Sequence, residues 1–381
     1  MKLNKIKGDL STLIDGHKIH LHPHKSAMWR ELDDCYPIHV EIGATARCNQ
    51  RCIFCALDFM NHKKRDIDKE VMLKTLKDMA HPSVPYKITF EQNGRTSTYF
   101  DAVSSIMFGG EGEPTLHKDL SLFIRKAKEY GLDVALTTNG LLFDETMQKQ
   151  CLPYLSWIKF SIDAGTPEVY SKIHGVSKGQ FEILMKNLSN SAELKQKNNL
   201  EVTIGTQFLM VPQSAIEQEA KGLVERLNDI GPNYLSVKPY SDHPKNKKKL
   251  IITPESDKNL EEVFNNLKSE ANFKIEFRRE TIKRINEGNN YTECFGLPFI
   301  SLIDSKGNVL PCNLFYDQEE FTYGNLYESD FSEIWAGEKR KNILQRLKQK
   351  GLSDCRNGCR CDAGNRFLDR LVNSQPHDNF T

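Results

Sequence analysis

Between residues 38 and 240, short apolar runs that read as strands alternate six times with segments that read as amphipathic helices. The runs are "IHVEIG" (38–43), "SSIMFGG" (104–110), "DVALTTNG" (133–140), "WIKFSID" (157–163), "EVTIGTQFLM" (201–210) and "YLSVKPY" (234–240). Helical stretches such as 68–80 and 118–131 lie between them; in the second, Leu120, Phe123, Ile124 and Ala127 recur on one face. Two antiparallel strands can be joined by a tight turn, whereas strand–helix–strand repetition is the pattern of parallel pairing. The alternation therefore predicts an α/β fold around a parallel sheet, open or curled into a partial barrel. Ligands collect at the C-terminal ends of such strands. "ATARC", "GGEGEP", "TTNG", "SIDAGTP" and "VKPY" all fall there.

The first of these strand ends carries Cys48, Cys52 and Cys55, and five more cysteines come late, at 294, 312, 355, 359 and 361. No apolar run is long enough to cross a bilayer. The opening "MKLNKIKGDLSTLIDG" has no continuous apolar segment with a small-residue cleavage site, so a cytoplasmic protein is expected. In a reducing compartment clustered cysteines point to metal or redox chemistry rather than disulfides. Cys35 and Cys151 stand apart and read as small buried hydrophobes. With 52 basic against 51 acidic side chains, bulk nucleic-acid binding is disfavoured.

Structural zinc usually sits between two Cys-x-x-Cys knuckles. Here the spacing is Cys-x3-Cys-x2-Cys, and no fourth cysteine follows. A cubane cluster held by three thiolates leaves one iron open to an outside ligand. "CNQRCIFC" resembles the cluster loop of radical S-adenosylmethionine (SAM) enzymes, with Phe54 in the aromatic slot. "FGGEGEP" resembles that family's Gly-Gly-Glu-Pro motif with Gly112-Glu113 inserted, and "KFSIDAGTPEVYSKIHG" (159–175) its fourth-strand stretch.

The resemblance implies a partial (β/α)6 TIM-like barrel with a [4Fe-4S] cluster on Cys48, Cys52 and Cys55, its free iron binding SAM. Reductive cleavage of SAM to a 5′-deoxyadenosyl radical then leads to hydrogen abstraction from the substrate. Gly109 and Gly110 are expected to admit the methionyl group, and Glu111, preferred over Glu113, to accept from its ammonium. Thr138, Asn139, Ser161, Asp163 and Gln207 are expected around the ribose or the substrate. Ordinary strand-end capping accounts equally well for several of these polar residues.

Beyond residue 290, Cys294, Gly307-x4-Cys312, "YGNLYESDFSEIWAG" and "CRNGCRC" resemble the twitch, or shortened SPASM, domain of the same enzymes. One auxiliary [4Fe-4S] cluster is implied, on Cys294, Cys312, Cys355 and Cys359, with Cys361 left over or serving as a hydrogen donor. Zinc is the rival there, because a count of cysteines does not choose the metal. The expected division is an N-terminal extension (1–36), the core barrel (37–245), a linker or helical segment (246–290) and a small α+β cluster domain (291–381). Within these parts we expect a hairpin at 86–100 around Asn93-Gly94, a linker with solvated lysines at 242–250, a hairpin at 299–315 turning at Gly307, and a helix over 330–348. His20, His22 and His24 are expected on one face of a surface strand.

The substrate is less constrained. Residues 1–36 are too short for a leader-binding winged helix, and Lys238, Tyr240, Asp242 and His243 offer polar groups at the sixth strand end. Arg278, Arg279 and Arg366 suit a phosphate or, more simply, surface ion pairs. Dehydrogenation or epimerisation of a sugar, nucleotide-sugar or aminocyclitol is therefore expected, with Lys238, Tyr240 and Cys361 beside the reacting atoms. Peptide or protein modification, as by a peptide maturase or an enzyme-activating maturase, is the alternative. A cysteine-rich zinc-binding interaction module is the non-enzymatic one. An electron donor of flavodoxin or ferredoxin type is the implied partner, with no membrane.

Overall fold

A ten-stranded sheet organises the chain, which the computed structural model describes over residues 14–92, 95–240, 243–246, 250, 254–373 and 375–380. In chain order the strands are β1 (His39–Ile42), β2 (Tyr86–Gln92), β3 (Arg95–Asp101), β4 (Ser105–Phe108), β5 (Asp133–Thr138), β6 (Trp157–Ser161), β7 (Thr203–Met210), β8 (Tyr234–Pro239), β9 (Lys274–Phe277), β10 (Ile300–Ile303), β11 (Asn308–Leu310) and β12 (Gly324–Asn325). Across the sheet the order is β12-β11-β10-β1-β4-β5-β6-β7-β8-β9, while β2 and β3 form a separate hairpin. All pairings from β10 to β9 are parallel. The six expected strand–helix repeats are present as an α/β barrel wall.

Each inner strand presents one face to helices and the other to a lumen. In β6, Ile158 and Phe160 are fully buried while Trp157, Lys159 and Ser161 keep accessible surface. The period of two makes this separation automatic. Helix entries use the expected chemistry: Asp68 accepts from the Glu70 and Val71 amides, and Asp144 from Met147. Each such cap contributes about 0.5–2 kcal/mol.

Three expectations are corrected. The stretch 246–290 is more than a linker, because β9 lies within it and pairs with β8. The helix over 330–348 is two helices, Phe331–Ala336 and Glu338–Lys350, because Gly337 is extended (φ −70°, ψ 149°) and breaks the hydrogen-bond ladder. His20, His22 and His24 share no strand face. Ile19–Leu21 is a 3-10 turn and Pro23–Leu32 a helix, which Pro23 opens at its first position, where a missing N–H costs nothing. The Asn93-Gly94 turn lies outside the described residues, as do 242 and 247–249 of the 242–250 linker.

The N-terminal segment and the C-terminal module hold each other. Trp29 packs edge-on against Phe295 and Phe299. Buried Arg340 makes a two-pronged bond to Asp34 (2.7 and 2.8 Å) and stacks 3.7 Å above Trp335. Buried Lys25 pairs with Asp101 and donates to the Tyr36 and Ala102 carbonyls. β10 runs beside β1, with Gly43 donating to the Ile303 carbonyl, so the module's hairpin continues the barrel sheet.

Candidate active site

Cys48, Cys52 and Cys55 lie on the loop after β1, all half-buried and close enough for Cys52 to feel both others. Burial first, then the neighbouring thiols, raises Cys52 well above the ordinary thiol range, and burial pushes Cys48 up to about 11. The loop is fixed from several sides. The Arg51 and Ile53 amides donate to the His174 and Ile173 carbonyls. Asn139 Nδ2 donates to Asn49 Oδ1 (2.7 Å), tying the end of β5 to the cysteine loop. Phe54 meets the His174 ring edge-on.

His174 itself is a residue that sequence reasoning missed. Its Nδ1 is 3.1 Å from Cys52 Sγ and its Nε2 is 3.0 Å from the Ile162 carbonyl. Burial lowers it to about 4, so the ring is neutral. With Nε2 donating to the carbonyl, Nδ1 is left to accept from the thiol. The only sequence signal is its place in "KIHG", at the end of the fourth-strand stretch.

Gly110 adopts a left-handed φ of +88°, and a Cβ there would stand 2.9 Å from both Glu41 Oε1 and Tyr316 Oη. Glycine is required twice over at that position; Gly109 beside it has room for a side chain. The two glutamates that follow have separate partners. Glu111 is bound by Arg65 (2.7 Å) and by the Ser305 amide (2.9 Å), so it faces the C-terminal module. Glu113 accepts from Thr115 Oγ1 (2.7 Å), Thr138 Oγ1 (2.6 Å) and the amides of Thr115 and Asn139. The expectation favours Glu111, yet Glu113 is the carboxylate among the strand-end residues. The insertion places one glutamate on each side of the turn.

Thr138 and Asn139 are thus engaged with Glu113 and the cysteine loop. Ser161, Gln207 and Lys238 lie toward the lumen, on the registers Ser161↔Gln207 and Leu209↔Lys238. Asp163, at φ 60°, accepts from the Leu209 amide (2.7 Å) and Gln207 Nε2 (3.4 Å), while its other oxygen is buried without a hydrogen-bond partner. Burial raises it to about 6. Tyr240 accepts from Asn246, and His243 contacts the Asn313 carbonyl, so the loop after β8 leans on the C-terminal module. Asp242 lies outside the described residues. Arg279 pairs with Glu261 at the surface, as expected, whereas Arg366 pairs with the buried Asp362 and donates to the Gly288 carbonyl, so it is a largely buried structural cation rather than a surface one. Arg278 instead donates to Ser236 on β8.

The five late cysteines line one cavity of about 920 Å³. Cys361 is within hydrogen-bond reach of both Cys294 and Cys359, which lowers the Cys359 thiol to about 7 and raises Cys361 itself. Burial raises Cys355 to about 12. Asn365 directs its amide at Cys294 Sγ (3.4 Å) and accepts from the Gly296 amide (2.7 Å). Several soft sulfur donors around a void, with an N–H aimed at one of them, suit an iron–sulfur cluster. Arg360, between two of these cysteines, pairs with Glu41 inside the barrel.

Comparison with known proteins agrees with this geometry. Residues 42–213 match the radical SAM superfamily, and residues 294–362 match the SPASM iron–sulfur cluster-binding domain. The tungsten-containing aldehyde ferredoxin oxidoreductase cofactor-modifying protein of Pyrococcus furiosus is 22% identical over 351 residues, covering 85% of this chain and 88% of that one. A GTP 3′,8-cyclase of Nautilia profundicola is 24% identical over 328 residues, covering 81% and 92%. Among solved structures, Streptococcus suis SuiB bound to its precursor peptide SuiA superposes with a TM-score of 0.63 at 17% identity, covering 99% of this chain and 82% of that one. That likeness shows a shared fold. Among the described residues no helix is long and apolar enough to cross a membrane.

Proposed function

We propose, from the premise that this chain is a radical SAM enzyme with a C-terminal SPASM-type cluster domain, that it abstracts hydrogen from a small polar substrate held in the barrel lumen. A sugar, nucleotide-sugar or aminocyclitol undergoing dehydrogenation or epimerisation fits best. Cys48, Cys52 and Cys55 would hold one [4Fe-4S] cluster, and Cys294, Cys312, Cys355 and Cys359 an auxiliary one. When bound, the first cluster with SAM supplies the 5′-deoxyadenosyl radical.

The chain's own residues do the positioning. The Asn139–Asn49 bond holds the cysteine loop over the mouth of β5. Glu113 gathers Thr138, Thr115 and the Asn139 amide into one turn, and Gly110 lets the backbone pass close to Glu41 and Tyr316. Phe54 packs edge-on against His174 and braces the cysteine loop. Ser161, Asp163 and Gln207 offer hydrogen bonds to a ribose or a substrate hydroxyl. Lys238 and Tyr240 stand on the substrate's side of the lumen, and the Cys361 thiol is the nearest S–H to the auxiliary site.

The single observation that carries the small-molecule reading is the lumen wall, where Lys159, Ser161, Gln207, Ser236 and Lys238 belong to the inward registers of three adjacent strands. A peptide is the second reading, favoured by the fold shared with a protein solved with its precursor peptide bound. A flavodoxin or ferredoxin is the proposed electron donor, in the cytoplasm.

Anaerobic enzyme given SAM, reductant and deuterated candidate substrates tests the reading. Deuterium recovered in 5′-deoxyadenosine from a sugar or aminocyclitol supports it; deuterium recovered from a peptide alone overturns the substrate class in favour of the second reading.

A further inference from the structure

The lumen holds more positive charge than its own carboxylates balance. Lys159 on β6 and Lys238 on β8 both lie on the inward register, two strands apart. Neither ammonium has a hydrogen bond or ion pair with any other described residue. Arg278, at the end of β9, reaches over Ser236 to the same wall. The three cations are near enough to act on one another: burial lowers Lys159 and Lys238 first, and each is lowered further by the other cations around it.

The carboxylates nearby are committed. Glu41 is paired with Arg360. Glu276 and Asp15, which both face Arg278, are shared, the first with Lys274 (2.9 Å) and the second with Arg284 and the amides of Glu280 and Thr281. Asp163 remains for Lys159 and Lys238 together, and one of its oxygens already takes the Leu209 amide and Gln207. Arg356 adds further positive potential from the C-terminal module, while Arg360 is balanced by Glu41. Like charges in an enclosed, poorly screened space repel far more strongly than on a surface. The same enclosure makes an entering anion correspondingly well held, with focused field lines raising its local concentration.

We propose that the lumen is built for a substrate bearing at least two negative charges, phosphate or carboxylate, gripped by Lys159, Lys238 and Arg278. This rests on the reading of the lumen as the substrate site, and it narrows that reading from polar to anionic compounds. A phosphorylated or nucleotide-linked sugar and a polycarboxylate share this chemistry; an uncharged sugar or a cationic aminocyclitol lacks it.

The test is titration calorimetry on the anaerobic holoenzyme with saturating SAM, using inorganic pyrophosphate, citrate and myo-inositol as probes at low and high salt. Pyrophosphate or citrate should bind, more weakly at high salt, and inositol should not; which anion binds tighter separates the phosphate source from the carboxylate source. Lys159→Met and Lys238→Met should each weaken that binding at least about tenfold. Lys159→Arg keeps the charge and should stay within about threefold. If Lys159→Met fails to fold, Lys159→Gln takes its place.

Unchanged binding in the methionine or glutamine variants overturns the proposal. So does equal binding of inositol, and so does anion binding that appears only when SAM is left out, which would mean that the lysines serve SAM's own carboxylate. Counting 5′-deoxyadenosine in parallel anaerobic samples given reductant keeps the two readings apart. Anion binding without SAM cleavage fails the enzyme reading alone, and cleavage without anion binding fails this one alone.

Discussion

Arg360, flanked by Cys359 and Cys361, forms an ion pair with Glu41, which lies on the strand leading into the Cys48–Cys55 loop. One contact thereby joins the two cysteine sites through the barrel wall. Glu41 is 5% accessible and Arg360 41%, so the carboxylate is the desolvated partner and the guanidinium keeps access to solvent.

Removing the carboxylate charge should therefore be felt in both places. Glu41→Gln is expected to destabilise the protein by about 1–3 kcal/mol, less than for a fully buried pair because Arg360 keeps access to water. Denaturant unfolding of the metal-loaded protein measures the loss. A midpoint unchanged from wild type would mean that the pair contributes nothing beyond a surface salt bridge.

The two cysteine sets should separate by iron analysis. Cys48→Ala is expected to lose about half the iron and all SAM cleavage, since a cubane on three thiolates cannot spare one. Cys355→Ala should lose the other half, whereas Cys361→Ala should leave total iron unchanged. A loss of iron from Cys361→Ala equal to that from Cys355→Ala would reassign the ligands. Zinc in place of iron would return the module to a structural knuckle.

The barrel was legible because its signals are local and repeated. Apolar runs of period two, amphipathic helices and turn residues recur in order, and the cysteine loop falls at a strand end. What stayed hidden is long-range pairing. Nothing near Arg360 points to Glu41, and nothing in "HLHPH" shows that its helix will cover Phe295 and Phe299; only Pro23 marks where that helix starts. β9 was missed because "KIEF" is four residues long and followed by charges, and its identity is set by β8 beside it. Glu111 and Glu113 are indistinguishable as letters. Their partners, Arg65 and Ser305 against Thr138 and Asn139, come from opposite sides of the turn.

Those partners give the glutamates different expected phenotypes. Glu113→Gln replaces an acceptor of four hydrogen bonds with a group that must turn an N–H toward donors. It should weaken SAM binding about tenfold or more, with a stability loss of about 1–3 kcal/mol. Glu111→Gln should chiefly lower stability, by loosening Arg65 and Ser305, and change SAM affinity by less than about threefold. Equilibrium binding of SAM to the two anaerobic variants compares them directly. The reverse order would restore Glu111 as the ammonium partner.

The Asn365 amide directed at Cys294 should tune the auxiliary site. An N–H···S hydrogen bond stabilises the more negative, reduced state, so Asn365→Ala is expected to move the midpoint potential of the auxiliary cluster downward and leave the other unchanged. A redox titration followed by electron paramagnetic resonance reads both. An upward shift, or none, would mean that Asn365 serves only the Gly296 amide.

Lys238 supplies the pH dependence. Burial, then repulsion from Arg278, lowers it to about 8, while Asp163 pulls the other way. Because this value lies below that of an unfolded lysine, the unfolded chain binds more protons between about pH 8 and pH 10.4, and the free enzyme should gain stability as pH rises through that window. Anion affinity must run oppositely: the ammonium is present below pH 8, and a bound anion favours keeping it. Citrate, fully ionised above neutral pH, should bind less tightly as pH rises above 8, by at most about tenfold per unit for one proton. Calorimetry with citrate at pH 8.5 in buffers of different ionisation enthalpy should record net proton uptake on binding, and Lys238→Met should reduce it, Lys159 supplying the remainder. Proton release, or uptake unchanged by the substitution, would take Lys238 out of the anion site.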